Sequence, residues 1–221
     1  MLIVLKGAER SKKAAYFEQL YRLRYEALIA GRGWALPSNN GCEIDQYDID
    51  ESIYIFDIDE DDKIQGTVRL TPTLSGSLTA DFFSHLIESG DNPRAADVYE
   101  ATRFIVSPPI KSRSTNRAAK ARVLGAMTEW CVDNGINFIQ AVIDSVTFST
   151  YVELNPKVMP MGLSHPYGGG RRAPGGGECM AIRLPMTPEA LQSVREYGGL
   201  LSGSVLAGTT APEPVVAHLT H

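Results

Sequence analysis

Two rhythms of apolar residues alternate along the chain. Leu2-Ile3-Val4-Leu5 is a short continuous run and predicts an initial strand. From about Lys12 to Ala30 the apolar positions Tyr16, Leu20, Leu23 and Ala27 recur every three or four residues, the spacing of one helix face, with Ser11 as its N-cap. Gly31-Arg32-Gly33 stops that helix, and Trp34 to about Asp50 has no period and much polar, Gly and Pro content. The second stretch predicts a long loop, and loops of that length are usually functional or disordered.

Beyond Asp50 the rhythm is mostly that of strands. Ile53-Tyr54-Ile55-Phe56-Asp57-Ile58 and Ile64 to Leu70 flank Asp59-Glu60-Asp61-Asp62-Lys63, which predicts a hairpin. Strand alternation puts Val68 and Leu70 on one face and Arg69 on the other. Phe82 to Ile87 suggests a short helix, and Tyr99 to Val106 a strand that Pro108-Pro109 ends. Ala118 to about Asp133 predicts a helix through Ala121, Leu124, Met127, Trp130 and Cys131, closed by Asn134-Gly135. A buried strand over Phe138 to Ile143, a helix through Val146 to Leu154, a strand over Cys179 to Leu184 and a helix over Glu189 to Tyr197 complete the order. This alternation predicts an α/β (α+β) chain: one domain over residues 1–199, a mixed twisted sheet with helices on both faces. Gly, Ser, Thr, Ala and Pro dominate residues 200–221, which predicts a loosely ordered tail.

Composition narrows the partners. A chain of 221 residues, 43% hydrophobic with net charge -5, suits one domain with a substantial core. No Lys/Arg block matches a phosphate backbone, so neither nucleic acid nor an anionic membrane is an expected partner. Cys42, Cys131 and Cys179 are odd in number and lack chelating spacing, which fits a reducing, cytoplasmic setting. The N-terminal apolar run is too short for a secretory signal, and nothing approaches the roughly 20 apolar residues of a membrane span. The expectation is a soluble, unprocessed protein.

Several candidate chemistries fall away. The Gly168 to Gly177 segment, with Arg171 and Arg172 inside it, lacks the Walker ending and the dinucleotide spacing, and reads as a flexible surface loop. His85, His165, His218 and His221 have no companions at metal-ligand spacing, so no metal is expected. No Gly-x-Ser-x-Gly elbow supports a serine hydrolase.

Two charged clusters remain, Glu43-Ile44-Asp45-Gln46-Tyr47-Asp48 in the loop and Tyr99-Glu100-Ala101-Thr102-Arg103-Phe104 in a strand. Taken singly, each residue has an ordinary account. Arg24 complements a helix dipole, Trp34 anchors a loop, Asp45 and Asp48 form turns, and Arg69 with Glu100 and Arg103 makes a cross-strand ion network.

Taken together, the order and spacing resemble the acyl-homoserine-lactone synthases, the LuxI-type autoinducer synthases. That family has an Arg late in the first helix and a Trp ten residues on, matched by Arg24 and Trp34. Its Glu-x-Asp-x-x-Asp segment is matched by Glu43, Asp45 and Asp48, and its Gly-x-x-Arg-Leu-x-Pro-Thr segment by Gly66, Arg69, Leu70, Pro72 and Thr73. Its Glu-x-x-Arg-Phe strand is matched by Glu100, Arg103 and Phe104. Leu28 departs from the usual Phe of the substrate pocket, and the second half of the chain matches weakly. The family's basic helix after the penultimate strand is replaced by Val146 to Met161, with Lys157 as its one cation.

The resemblance implies a fold similar to the N-acetyltransferases (GNAT-like). It implies a reaction in which S-adenosylmethionine, a substrate and not a cofactor, is acylated on its amine by an acyl thioester and lactonises with loss of methylthioadenosine. Glu100 is then the candidate base for the amine, Asp45 and Asp48 bind the cationic groups, and Arg24, Arg69 and Arg103 are candidates for the carboxylate. Catalytic roles thus fall on Glu100, Arg103 and Asp45, and Leu28, Trp34 and Phe104 join the binding set. Val142, Ile143, Val146 and Phe148, with Phe104 and Met159, are candidate liners of an acyl groove, or plain core. The acyl donor is an acyl carrier protein or acyl-coenzyme A, with Arg113, Lys120, Arg122, Arg171 and Arg172 as candidate cations for it. An N-acyltransferase acting on another amine and a non-catalytic S-adenosylmethionine-binding relative remain the rival readings.

Overall fold

The computed structural model describes residues 1–88, 92–106, 113–168, 170, 176–200 and 206. In chain order the elements are β1 (Leu2–Lys6), α1 (Ala14–Arg24), β2 (Ser38–Asn39), β3 (Cys42–Glu43), β4 (Ile53–Ile58), β5 (Ile64–Pro72), α2 (Leu78–Phe82), β6 (Val98–Val106) and α3 (Arg113–Asp133). They continue with β7 (Phe138–Asp144), α4 (Phe148–Leu154), β8 (Met159–Pro160), β9 (His165–Tyr167), β10 (Gly177–Pro185) and α5 (Pro188–Gly198). One sheet runs in the order β1-β4-β5-β6-β7-β10-β8, with β9 also on β10. Every pairing is antiparallel except β6 with β7. Among the described residues no helix is long and apolar enough to cross a membrane.

The helices cover both faces of the sheet, as the alternation predicts. On one face α3 and α5 lie over the main core, where Val68, Leu70, Ile139 and Ile182 meet Val123, Met127, Trp130 and Val194. Thr187 caps α5 by accepting from the Ala190 amide, and Gly199 ends it in the left-handed conformation at φ 63. The opposite face has two smaller apolar patches. Phe17, Leu20 and Tyr21 of α1 pack on Tyr54 and Phe56, while Leu86, Met161, Cys179 and Ala181 cluster towards β10. Polar side chains occupy the ground between those patches.

Two irregularities of the sheet shape that polar ground. First, β6 and β7 pair over three rungs only, Val98 with Phe138, Tyr99 with Ile139 and Glu100 with Gln140. Beyond that point β6 stays with β5 and β7 stays with β10, so the parallel strands part as a fork. Second, the β5–β6 register shifts between Thr67, opposite Ile105, and Arg69, opposite Thr102. One extra residue is thereby inserted in β6, and Arg103 takes φ 55 there. This is a β-bulge, and a non-glycine residue in the left-handed region costs of order 1–3 kcal/mol that the surroundings must offset.

Three local expectations need correction. The first helix is α-helical only over Ala14–Arg24 and continues as a π-helical stretch over Tyr25–Ala30. The short helix expected at 82–87 lies earlier, at Leu78–Phe82, because the Ser77 hydroxyl accepts from the Ala80 amide and starts it there, and a separate 3₁₀ turn occupies Ser84–Leu86. The periodless 34–50 stretch contains the β2–β3 hairpin. Asn40 and Gly41 turn it with φ 50 and 73, the two positive values of a type I′ turn. The tail at 200–221 lies outside the described residues except Leu200 and Leu206, which pack against the main core. Arg171 and Arg172 also lie outside them.

Candidate active site

The polar ground is organised by three arginines from three elements. Arg24 is the last α-helical residue of α1, Arg69 sits mid-β5, and Arg103 is the bulge residue of β6. All three reach one acidic loop. Arg24 donates through Nε to Glu43 and through Nη1 and Nη2 to Asp48 at 2.7 and 3.0 Å. Arg69 grips Asp45 with both terminal nitrogens, at 2.6 and 3.0 Å, and its Nη1 lies 2.9 Å from Asp48. Arg103 Nη2 donates to Glu43 at 2.8 Å and to Asp45 at 2.7 Å.

These contacts close on themselves. The order Arg24, Glu43, Arg103, Asp45, Arg69, Asp48 and back to Arg24 is a ring of alternating charges, three positive and three negative. Its deep members are sealed, and the most exposed are Arg103, at 9%, and Asp45, at 6%. The ring therefore meets solvent at the Arg103–Asp45 edge. Burial alone would raise the Asp45 and Asp48 carboxyls, but the neighbouring arginines outweigh it. Arg69 by hydrogen bond and charge, then Arg103, hold Asp45 low, and Arg69 with Arg24 holds Asp48 lower still.

The surrounding structure holds the ring in place. The Tyr54 hydroxyl donates to Asp48 at 2.8 Å, and the Asp45 amide donates to Asp48 at 2.9 Å. Arg10 holds the Asp48 carbonyl at 2.7 Å. Gly7 permits β1 to approach the end of the acidic loop, since a Cβ there would lie 1.9 Å from the Ile49 carbonyl oxygen. Below Arg69 lies the Tyr47 ring, whose hydroxyl donates to Asp81 of α2 at 2.8 Å.

Glu100 is brought to the same face but not into the ring. Its carboxylate accepts from the Thr79 amide at 2.8 Å and from the Thr79 hydroxyl, at the first turn of α2. Ser77 and the Leu78 amide act in the same sense and hold the carboxyl lower than burial alone would. All these donors are neutral. Burial consequently wins, and the Glu100 carboxyl is raised above its ordinary value despite them. The cross-strand ion network expected of Arg69, Glu100 and Arg103 thus forms without Glu100, with the loop carboxylates as partners.

The remaining predicted residues divide. Leu28 is buried in the π-helical stretch, and its carbonyl accepts the Trp34 amide at 3.0 Å. Trp34 is half-buried and lies under the Arg32 guanidinium at 5.1 Å. Arg32 is 3.5 Å from Asp144 at the end of β7, and Asp144 also accepts the Tyr167 hydroxyl at 2.6 Å. Trp34 is therefore tied to the open end of the fork rather than to the ring. Phe104 follows the bulge and packs on the main core, away from the charges.

The acyl-groove candidates are not brought together. Val142 and Ile143 are neighbours on one strand and project to opposite faces, Val142 onto the Leu86 cluster and Ile143 into the main core with Phe148. Val146 is 70% exposed and Met159 is also exposed, so neither lines an interior groove. Of the candidate donor-binding cations, Arg122 is bound to the buried Asp57 and Lys120 is half-buried on α3. Arg113 begins α3.

Sequence reasoning gave no role to Glu43, Tyr54 or Thr79. Glu43 stood inside the quoted acidic motif, and the Asn40-Gly41 turn that presents it was a readable signal. Tyr54 pairs with Arg69 in register, which places a hydroxyl beside the guanidinium. Thr79 had no signal, because its partner is 21 residues away. Among the described residues no group of three His, Cys, Asp or Glu side chains is placed to hold a metal ion.

Comparisons with known proteins identify the family and the fold. The family model for the autoinducer synthases matches residues 8–152, a span that contains the whole ring and Glu100. The isovaleryl-homoserine lactone synthase of Bradyrhizobium diazoefficiens is 27% identical over 164 residues, 74% of this chain and 73% of that protein. An acyl-homoserine-lactone synthase of Vibrio anguillarum is 34% identical over 97 residues, 44% of this chain and half of that one. Among solved structures, MesI, a CoA-dependent acyl-homoserine lactone synthase, superposes with a TM-score of 0.78 and 26% identity over 92% of this chain and 98% of its own. BjaI, a CoA-dependent synthase solved with SAM and isopentyl-CoA, gives a TM-score of 0.78 at 23% identity, covering 91% and 90%. The wider fold extends to a Lactobacillus plantarum protein assigned as an N-acetyltransferase, with a TM-score of 0.52 at 14% identity over 84% of this chain and 99% of its own. With its motifs in order and about two thirds of its length matched by the family model, the chain belongs to the autoinducer synthase family.

Proposed function

We propose that the chain is an acyl-homoserine-lactone synthase, joining the amine of S-adenosylmethionine to an acyl group and closing the methionyl part into a lactone. The observation that carries this reading is the contrast between Asp45, held by Arg69 and Arg103 at the open edge of the ring, and Glu100, buried on the same sheet face with neutral donors as its hydrogen-bond partners. Asp45 stays charged and suits a cation. Glu100 suits a proton.

The ring explains how a zwitterion is accepted. Its outer pair, Arg103 and Asp45, is already a cation beside an anion, so a substrate carrying an ammonium and a carboxylate exchanges partners with it instead of burying new net charge. Arg103 takes the carboxylate and Asp45 the ammonium or sulfonium. Arg24, Arg69 and Asp48 form the rear of the ring and hold those two in orientation, while Leu28 and Trp34 bound the substrate side. An α-amine with an ordinary value of about 8 arrives mostly protonated, so Glu100, directly or through a water, removes one proton.

The nitrogen then attacks the thioester carbonyl carbon. A C–N bond forms, the C–S bond breaks, and the thiol leaves with a proton. In the second step a carboxylate oxygen of the methionyl chain attacks the carbon beside the sulfonium, and that C–S bond breaks with release of methylthioadenosine. The enzyme's main task there is orientation, worth on the order of 7 to 11 kcal/mol in well-aligned intramolecular reactions. Acyl-coenzyme A is the donor we favour over a carrier protein, supported by the likeness to the CoA-dependent MesI, and the three free cysteines suit a cytoplasmic setting.

The decisive test is product analysis of the purified protein given S-adenosylmethionine and a panel of acyl-coenzyme A and acyl-carrier-protein thioesters. Lactone and methylthioadenosine should appear in equal amounts, with the coenzyme A series turned over faster. Acyl transfer without methylthioadenosine would assign the chain to N-acylation of another amine, and binding without any product would assign it to a non-catalytic role.

A further inference from the structure

Gln140 has no part in the ring and none in the motifs, yet it is paired in register with Glu100 on the β7 side, as Thr71 is on the β5 side, at the last rung before β6 and β7 part. It is wholly buried. Its Nε2 donates to the Ser77 hydroxyl oxygen at 3.1 Å, and its Oε1 is sealed from solvent without a hydrogen-bond partner. An amide oxygen in that state is costly, on the order of 1–3 kcal/mol of desolvation, and native proteins seldom tolerate it without a reason.

The neighbours fix which end of the amide is free. The Ser77 oxygen accepts from the Ala80 amide at 3.1 Å as the cap of α2. Ser77 also acts on Glu100 as a donor, holding its carboxyl lower than burial alone would, and as a carboxylate Glu100 can only accept, so the single hydroxyl hydrogen is directed there. What Ser77 can offer Gln140 is therefore a lone pair, and the amide must present its nitrogen. The oxygen is left without a donor, on a residue of the rung where β6 and β7 part.

We infer that Gln140 is a substrate-contacting residue of this site, its Oε1 accepting a hydrogen bond from an N–H of the bound substrate beside Glu100. The inference rests on the proposed reaction for the identity of that substrate. The required chemistry is a donor, which excludes the thioester carbonyl and the carboxylate. The sources of N–H are then the α-amine and the adenine amino group of S-adenosylmethionine, and the amides of a pantetheine arm. The α-amine fits better, because Glu100 stands on the same rung as a second acceptor and an ammonium offers three hydrogens. Gln140 then holds one N–H while Glu100 removes another, which aims the nitrogen lone pair along the fork.

The test is Gln140→Met, which keeps size and removes both polar ends. Since the oxygen has no hydrogen-bond partner within the protein, the variant should unfold at an unchanged or higher denaturant midpoint. Its KM for S-adenosylmethionine should rise roughly tenfold or more, the range of a hydrogen bond to a charged group, with the KM for acyl-coenzyme A unchanged. Direct titration with S-adenosylmethionine should weaken by the same factor, and this arm reads the contact even if the wild-type protein makes no lactone. A rise confined to the acyl-coenzyme A KM would overturn the amine assignment in favour of the pantetheine amides. A lower midpoint with both affinities intact would reduce Gln140 to a structural residue and end the proposal.

Discussion

The ring and Glu100 are two solutions to the same problem, a carboxylate taken out of water, placed on one sheet face. In the ring each carboxylate faces at least two guanidinium groups, and its charge is locked in. Around Glu100 every donor is a neutral amide or hydroxyl, and its charge is held only loosely. The difference teaches that composition alone does not assign a role to an acidic residue. Cation partners turn carboxylates into fixed anchors, whereas neutral partners leave one able to exchange its proton.

The largest effect should come from breaking the ring at its sealed side. Arg24→Ala leaves Glu43 and Asp48 buried with incomplete neutralisation, and loss of one partner of a buried pair costs about 3–5 kcal/mol. Urea unfolding measures it, and a loss well below 1 kcal/mol would mean that the ring tolerates an open link. Glu100→Gln preserves shape and the bond from the Thr79 amide, so stability should hold while turnover falls by roughly 10²- to 10⁴-fold. Unaltered turnover would exclude Glu100 as the base. Asp45→Asn opens the ring at its solvent edge and should raise the KM for S-adenosylmethionine about tenfold, with a smaller change in kcat.

Acid separates the two regions without any mutation. Asp45 and Asp48 titrate below ordinary carboxylates, so the stability they contribute is complete above the unfolded-state value of about 4 and disappears only as pH falls through their lower folded values. Glu100 titrates above its ordinary value, and its protonation favours the folded state while abolishing the base. Activity should therefore vanish at a higher pH than structure, leaving an interval of folded, inactive protein visible by circular dichroism against turnover. Coincident loss of both would contradict the contrast. The smallest effect is that of Thr79→Val, which removes one neutral donor from Glu100 and should move the acid limb of turnover to slightly higher pH; an unmoved limb would detach that limb from Glu100.

Periodicity was sufficient for most elements because their apolar faces answer to local spacing. The α3 helix and the strands β4, β5, β7 and β10 fall where their patterns predict. The site was legible as a set of residues through family resemblance, but its wiring was not. Glu43 meets Arg103 across 60 positions, and no local rule relates them. The acyl-groove candidates are dispersed for the opposite reason, since Val142 and Ile143 are adjacent in sequence and alternation separates them across the sheet. The misplaced short helix shows a third limit. Apolar residues drew attention to 82–87, while a single serine hydroxyl set where the helix begins.

One extra residue in β6 has a consequence for how such a site is lost or gained. Glu100 and Arg103 are three apart, and in an unbroken pleat an odd separation sends two side chains to opposite sides. The bulge at Arg103 reverses that parity, so both serve one face and Phe104 returns to the core. Deleting Arg103 would restore a continuous ladder and remove the left-handed backbone, with Thr102 still opposite Arg69 and Ile105 still opposite Thr67. The result would be a tidier sheet with Phe104 still in the core and the outer cation of the ring gone. In this fold the frame of the pleat acts like a reading frame, and a one-residue slip that improves the ladder erases the meaning.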